Sequence, residues 1–397
     1  MYDNIIGHGL LDYIVVLTFV LYAIYAALTR THRILYILPA AVSFFFFIQV
    51  GPLITPDKVV PFIFLVFVMF RYGVGYFKIP YTSLSKWLLG VFFMICIAFF
   101  IGGFYTQYYG NLINSPHLSN RLYIQLIGYA NSIFIFIIVR RECILQNNIY
   151  RLLKSFIWTT SILAIYGVYQ YYADQFGLPY RGMIRSASIV DYAHLKIGEE
   201  SFFRVNSLAS EPKRLTYFIV IGVIILIKYK DYFFGKIGKI MTVALIVAHL
   251  LVLWWTYSTS IYISLAVFIG GLMFYVLFLN YNRRLMRTLV VASLIGVGGY
   301  FSQQQNLNKL YENRVDEQLE NEDVRSEVKG VDYLQSYPGL FIFGIGPGMY
   351  NFALAIEYPG KAGLSPLGEI LIPFNSAFLT YVYDFGILGC FIIIFHC

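Results

Sequence analysis

Residues 204–214 read Arg-Val-Asn-Ser-Leu-Ala-Ser-Glu-Pro-Lys-Arg and lie between two long apolar runs. Cations and a carboxylate are costly beside a bilayer, so such a cluster is a functional hypothesis by default. Pro212 suits the first turn of a helix, where its missing N–H costs nothing, with Ser210 or Glu211 as the cap. From Pro212 to Ile227 that helix is about 24 Å long at 1.5 Å per residue, against roughly 30 Å of hydrocarbon. The shortfall predicts a helix start below the outer surface, facing a cavity, with Arg214 one turn inside. The open N–H groups of a helix start and the forks of Arg204 and Arg214, with Lys213 beside them, suit a phosphate. The plainer alternative is that these cations snorkel to lipid headgroups, which leaves Glu211 and Pro212 without a reason.

Other residues with chemical potential are scattered further along. Arg181 and Arg185 precede the cluster in the same loop and either join it or snorkel. Arg325 stands before Pro338, which leads into Gly344-Ile-Gly346-Pro347-Gly348. With no strand and helix to flank it, that glycine run is no nucleotide loop. It reads as a tight turn that lets backbone enter a cavity. Asp384 sits about 15 Å into the last apolar run, where a carboxylate must face a partner helix or water. His249, alone in an apolar run, reads as an interhelical hydrogen-bonder. Some exterior tyrosines, Tyr105, Tyr108, Tyr109, Tyr172 and Tyr180, fit either an interfacial belt or sugar stacking.

The elements that must hold these groups are membrane helices. Of 397 residues, 59% are hydrophobic and 13% charged, where a soluble domain shows about 45–50% and about 25%. Apolar runs of spanning length predict an all-α polytopic membrane protein, with spans near 10–28, 34–54, 59–76, 87–105, 122–139, 153–176, 212–227, 239–257, 261–279, 286–302 and 375–396. The first run is long enough to stay as a span, and no cleavable signal peptide is expected. Short basic loops follow the odd spans, with Arg30 and Arg33, Arg71, Arg140 and Arg141, and Lys228 and Lys230 among their cations. The positive-inside rule puts them in the cytoplasm. The N-terminus and two long segments, 177–211 and 303–374, are then outside. The second opens with an acidic stretch around Glu312–Asp323 that reads as a solvated helix. A net charge of +8 does not imply nucleic acid, because the cations are dispersed rather than gathered on one face. Cys96, Cys143, Cys390 and Cys397 suggest neither a disulfide framework nor a zinc site.

These pieces, in this order, resemble the O-antigen polymerase and ligase superfamily of bacterial surface-polysaccharide enzymes. Arg204…Ser207-Leu208…Glu211-Pro212 is similar to the family's arginine and Glu-Pro motif opening a helix after a long exterior loop. Tyr257-Ser-Thr-Ser260 looks like its Ser-Arg-Ser turn. Arg325 through Tyr337-Pro338 to Gly344-Ile-Gly-Pro-Gly348-Met-Tyr350 resembles its Arg…Pro…GxGPG stretch. Asn375…Leu379…Asp384-Phe-Gly386-Ile387-Leu-Gly389 looks like its closing helix. The resemblance covers about 155–397, within a C-terminal region 152–397 that follows an N-terminal bundle 1–151. Ile261 stands where the family usually has an arginine. Phe374 stands where ligases tend to carry histidine, which favours a polymerase.

The resemblance implies a GT-C-like glycosyltransferase of about 11 helices. It would transfer an oligosaccharide from a polyprenyl-diphosphate donor to a carrier-linked acceptor outside the bacterial cytoplasmic membrane, without metal, nucleotide sugar or other cofactor. A chain-length regulator commonly works beside such enzymes. On this reading Arg204, Arg214 and Arg325 bind the diphosphate, supported by Lys213, Arg181 and Arg185. Glu211 is the first candidate for the base and Asp384 the second. The rival readings are a ligase with a lipid or wall acceptor and a polysaccharide or lipid-carrier transporter.

Overall fold

The computed structural model describes residues 10–43, 55–77, 83–112, 118–145, 147–180, 194–197, 200–209, 212–234, 238–257, 270, 326–350, 353–354, 363–364, 370–371 and 377–395. The predicted spans 261–279 and 286–302 lie outside these residues, apart from residue 270, and so does the acidic stretch. Helix dominates. α1 (Leu10–Leu28) matches the first apolar run and packs on α3 (Pro56–Tyr72). The contact is close because Ala23, Ala26 and Ala27 are fully buried on α1, against Val60, Phe64 and Val68 of α3. Small residues let membrane helices approach in this way. Arg71 caps the C-terminal end of α1, donating to the carbonyls of Leu28 at 2.5 Å and Thr29 at 2.7 Å.

The expected second span begins differently. Residues Thr31–Tyr36 form a 3-10 turn before the short α2 (Leu38–Ser43). This turn is tied to its neighbours at both ends: Thr31 donates to the buried Glu142 carboxylate and Ser155 donates to the Tyr36 carbonyl. α4 (Ser83–Leu112) and α5 (Leu118–Val139) follow, and α5 continues as a π-helical turn, Arg140–Leu145. That turn carries Glu142 to the Tyr76 hydroxyl, which donates to it at 2.8 Å.

A second group of helices packs α6 (Ile149–Phe176) against α7 (Pro212–Phe234) and α8 (Gly238–Trp255). α6 ends at Gly177 in the left-handed region (φ 66), with Leu178 N–H donating to Ala173 O at 2.8 Å. This is the reciprocal C-terminal cap that glycine permits. Between α6 and α7 lies a two-stranded antiparallel hairpin, β1 (His194–Ile197) with β2 (Glu200–Phe203), which the apolar pattern gave no reason to expect. α7 also runs further than predicted, to Phe234, or about 34 Å. Lysines at its far end can snorkel, so Lys228 and Lys230 do not stop the helix.

The C-terminal part contributes α9 (Ser326–Ser336), α10 (Pro338–Phe343), a minimal ladder of β3 (Gly363–Leu364) with β4 (Ile370–Leu371), and α11 (Ala377–Phe395). α11 packs on α4 and on α10. Among the described residues three helical stretches are long and apolar enough to cross a membrane: Trp87–Tyr108, Leu122–Cys143 and Ile149–Phe176. Large apolar side chains such as Phe100, Phe104 and Phe176 stand exposed on these helix surfaces, as a lipid-facing protein requires.

Candidate functional site

Two stretches of irregular backbone turn inward among the helices, and each carries a residue singled out by the sequence. The first is 204–209. Val205 N–H donates to the Trp255 carbonyl at 3.0 Å, which caps α8. Ser207 donates from its hydroxyl to the Leu163 carbonyl at 2.6 Å. Leu163 lies about 20 Å along α6 from the end at Phe176, so the chain returns deep beside that helix. Gly167 makes room for it, since a Cβ there would meet Val252 at 2.8 Å and Val205 at 3.1 Å.

Gln170 organises the turn. Its amide oxygen accepts the N–H of Asn206 at 3.2 Å and of Ser207 at 2.8 Å, while its amide nitrogen donates to Asn206 Oδ1 at 2.8 Å. Gln170, Asn206 and Ser207 are all fully buried. Ser207 takes φ 51, an uncommon left-handed conformation for a non-glycine residue, which these bonds hold. Gln170→Leu strands two buried N–H groups and should cost about 2–4 kcal/mol. Thermal unfolding of the purified protein checks this, and an unchanged midpoint would contradict the assigned role.

Arg204 is half-buried at the mouth of this turn, and its Nε donates to the Thr256 carbonyl at 3.4 Å. Pro212 starts α7 as expected. Gly222 of α7 faces Thr160 of α6, and counting back along the antiparallel pair puts Pro212 level with Gln170. The helix start therefore lies about 9 Å below the end of α6. The reason is this register, not a short helix. Lys213 and Arg214 are in the first turn of α7, but their side chains lie outside the described residues, as do Glu211, Arg181, Arg185 and Arg325.

The second inward turn is Gly344–Gly348, which follows α10. Its glycines all have positive φ, at 75, 97 and 75. Gly346 lies against α4, where a Cβ would meet Ala98 O at 2.8 Å, and Gly344 lies against α11, where a Cβ would meet Tyr383 O at 2.8 Å. The close backbone entry expected from this sequence is present. α11 breaks to receive the turn. Gly386, at φ 67 and ψ 175, interrupts the helix, and Ile345 N–H donates to the Tyr383 carbonyl at 2.7 Å.

Asp384 sits in this break and is 1% exposed. One carboxylate oxygen accepts the Gly348 N–H at 2.9 Å and the other accepts the Tyr129 hydroxyl of α5 at 2.5 Å. Both oxygens are thus engaged, and the carboxylate ties three elements together. Asp384→Ala removes the acceptor of both donors and should cost about 2–4 kcal/mol. Asp384→Asn keeps an oxygen for Gly348 and should cost less than half as much. Unfolding midpoints of the two variants check the order, and equal losses would count against it. On the flank of Tyr129 lies an open pocket of about 320 Å³ lined by Gln125, Gly128, Ser132, Thr380 and Tyr381.

Arg204 and Asp384 belong to different parts of the packing. The neighbours of Arg204, Phe203 and Val205, join the α6–α7–α8 cluster. Those of Asp384, Tyr383 and Phe385, join clusters built on α4, α5 and α10. His249 does not bridge helices among the described residues. Its Nδ1 bonds the Leu245 carbonyl of its own helix at 2.6 Å, and Nε2 has no hydrogen-bond partner. The sequence reading missed Gln170 and Tyr129. Gln170 stands as an amide inside an apolar run, a signal that was there to be used; Tyr129 is one of 35 tyrosines. No family model, curated protein or solved structure matches this chain.

Proposed function

We propose that the chain is a metal-independent glycosyltransferase of the O-antigen polymerase and ligase type, acting as a repeat-unit polymerase. On this reading it has about eleven spans in a GT-C-like arrangement and works on the exterior face of the bacterial cytoplasmic membrane. The observation that carries the proposal is the inward turn 204–209, with Arg204 at its mouth and a recessed helix start at Pro212 behind it. Irregular backbone at membrane depth is tolerated only where it is buried or lines a cavity. A cation at such a place suits an anionic group presented from the membrane surface.

The chemistry follows from the donor. As the bond from the anomeric carbon to the polyprenyl diphosphate breaks, its electron pair stays with the diphosphate oxygen. Arg204, Arg214 and Arg325 stabilise the charge that develops there. The acceptor hydroxyl attacks the anomeric carbon and gives its proton to Glu211. Asp384, enclosed and twice hydrogen-bonded, positions the glycine turn instead of meeting the acceptor. A chain-length regulator is the expected partner.

The test is lengthening of polyprenyl-diphosphate-linked repeat units by the purified protein in liposomes. Transfer to a different lipid acceptor would make it a ligase, and no glycan transfer at all would refute the enzyme. One observation favours a second reading, transport of a lipid-linked glycan: α11 is interrupted at Gly386 beside a buried carboxylate, as in transporters with broken helices. Movement of labelled lipid-linked glycan across the liposome without lengthening would select it.

A further inference from the structure

The far end of α6 from the Arg204 turn, which the charge bias assigns to the cytoplasm, carries a second concentration of cations. Arg30 precedes the 3-10 turn Thr31–Tyr36 in extended conformation, and Arg33 lies in its last turn. Arg151 stands one helical turn before Ser155, the residue whose hydroxyl ties α6 to Tyr36 at the end of that turn. Arg33 is fixed in place. Its guanidinium bonds the Tyr25 hydroxyl and the Thr29 hydroxyl, and lies 4.9 Å from the centre of the Tyr25 ring.

Arg30 and Arg33 flank the half-buried His32 in the chain, and the Ser155–Tyr36 bond brings the first turns of α6, with Arg151, beside the same 3-10 turn. Burial first, and then the charges of Arg151, Arg30 and Arg33, hold the His32 imidazole below its ordinary range. The acid at this end does not offset them. Glu142 is fully enclosed, accepts from Tyr76 and Thr31, and has Arg141 as its charged neighbour. Among the described residues no carboxylate pairs with Arg30, Arg33 or Arg151. Guanidinium groups brought together with no carboxylate paired to them among the described residues repel, and planar forks of this kind match phosphate oxygens. Arg30 is exposed and Arg33, Arg151 and His32 are half-buried, so an anion can reach them.

We propose that Arg30, Arg33 and Arg151, grouped round His32, form a phosphate-binding site at this end of the protein, filled by a lipid headgroup phosphate or a free phosphate. This site is independent of the glycosyltransferase reading. It differs from the general positive charge that sets topology, because that bias needs only charge, whereas this site needs arginine forks in fixed positions.

The experiment uses the full chain in nanodiscs, with the thermal unfolding midpoint as readout. In phosphatidylcholine discs, pyrophosphate is added at constant ionic strength. In a second arm, part of the phosphatidylcholine is replaced by phosphatidylglycerol. A ligand bound only by the folded protein raises the midpoint, here by about 2 °C or more at saturation. A rise with pyrophosphate identifies a soluble phosphate, and a rise with phosphatidylglycerol alone identifies a headgroup. Arg151→Lys keeps the charge and the topology and should lose at least half of the shift; Lys228→Gln, on the exposed far end of α7, should lose none. If Arg33→Gln does not fold, the phosphorus linewidth of pyrophosphate with the unaltered protein still decides. The proposal falls if neither arm shifts the midpoint, or if Arg151→Lys and Arg33→Gln both keep the full shift.

Discussion

Arg204→Ala should slow repeat-unit transfer by about 100-fold or more while leaving the protein folded. Removing one donor aimed at charge that develops in a transition state costs about 100- to 1,000-fold in rate. Arg204 is suited to that task because its scaffold is fixed by other groups. The next residue is pinned by Val205 N–H to Trp255 O, and the turn behind it by Gln170 and Ser207. Arg204 is half-buried, and its Nε donates to the Thr256 carbonyl through a long bond of 3.4 Å. Truncation should therefore cost no more than a typical point substitution, about 0.5–3 kcal/mol.

On the proposed mechanism the loss should appear in kcat more than in KM, because a contact to a departing diphosphate would strengthen in the transition state. Arg204→Lys keeps the charge but not the fork and should fall between the two. Rates are measured with lipid-linked repeat units in liposomes, alongside the unfolding midpoint. A truncated protein that extends chains within threefold of the original rate takes Arg204 out of the mechanism.

What the sequence made legible were features that depend on local chemistry. The apolar run over Leu10–Leu28 coincides with α1, Pro212 opens α7 and Pro338 opens α10, because helix starts and membrane spans are coded within a few residues. The positive-φ glycines at 344, 346 and 348 were readable for the same reason. The depth of the turn at 204–209 was not. It is set by the bond from Ser207 to Leu163 and by the register of Gly222 against Thr160, pairings between distant positions that hydropathy does not record. The expectation of a recessed helix start rested on an α7 that stops at Ile227, whereas the helix runs to Phe234 and its start is offset from the end of α6 by register. Hydropathy also hid the break in α11, since Phe385, Gly386 and Ile387 read as ordinary span residues while only one of them has helix-breaking geometry. Glu142 illustrates the opposite error. In sequence it is one acid beside a run of arginines, yet the π-helical turn buries it completely between Tyr76 and Thr31.

Gly386→Ala should be among the most damaging single changes in the described part of the chain. The backbone at φ 67 and ψ 175 is essentially closed to residues with a side chain and costs of order 1–3 kcal/mol to hold. Space adds to this. A methyl group at Gly386 would collide with the Ile342 carbonyl and lie 2.6 Å from the Phe343 carbonyl carbon. These are backbone atoms at the end of α10, so no side-chain rotation relieves the contact. Together the two effects should exceed about 4 kcal/mol, a loss reserved for strain and overpacking of this kind. Gly339→Ala, on α10 with nothing within 4 Å of its Cβ and no positive φ, is the matched control and should change little. The measurement is the yield and unfolding midpoint of each variant after extraction in mild detergent.

Function should fail before the fold does. Relief of the clash requires α11 to straighten or α10 to withdraw, and either motion pulls Asp384 from the Gly348 N–H and the Tyr129 hydroxyl. A weaker perturbation, Gly344→Ala, presses on the same junction, with a Cβ 2.6 Å from the Gly386 nitrogen. It should retain some folded protein with the glycine turn displaced. If Gly386→Ala instead folds and unfolds like the original, the break in α11 is not the rigid junction on which the Asp384 network depends.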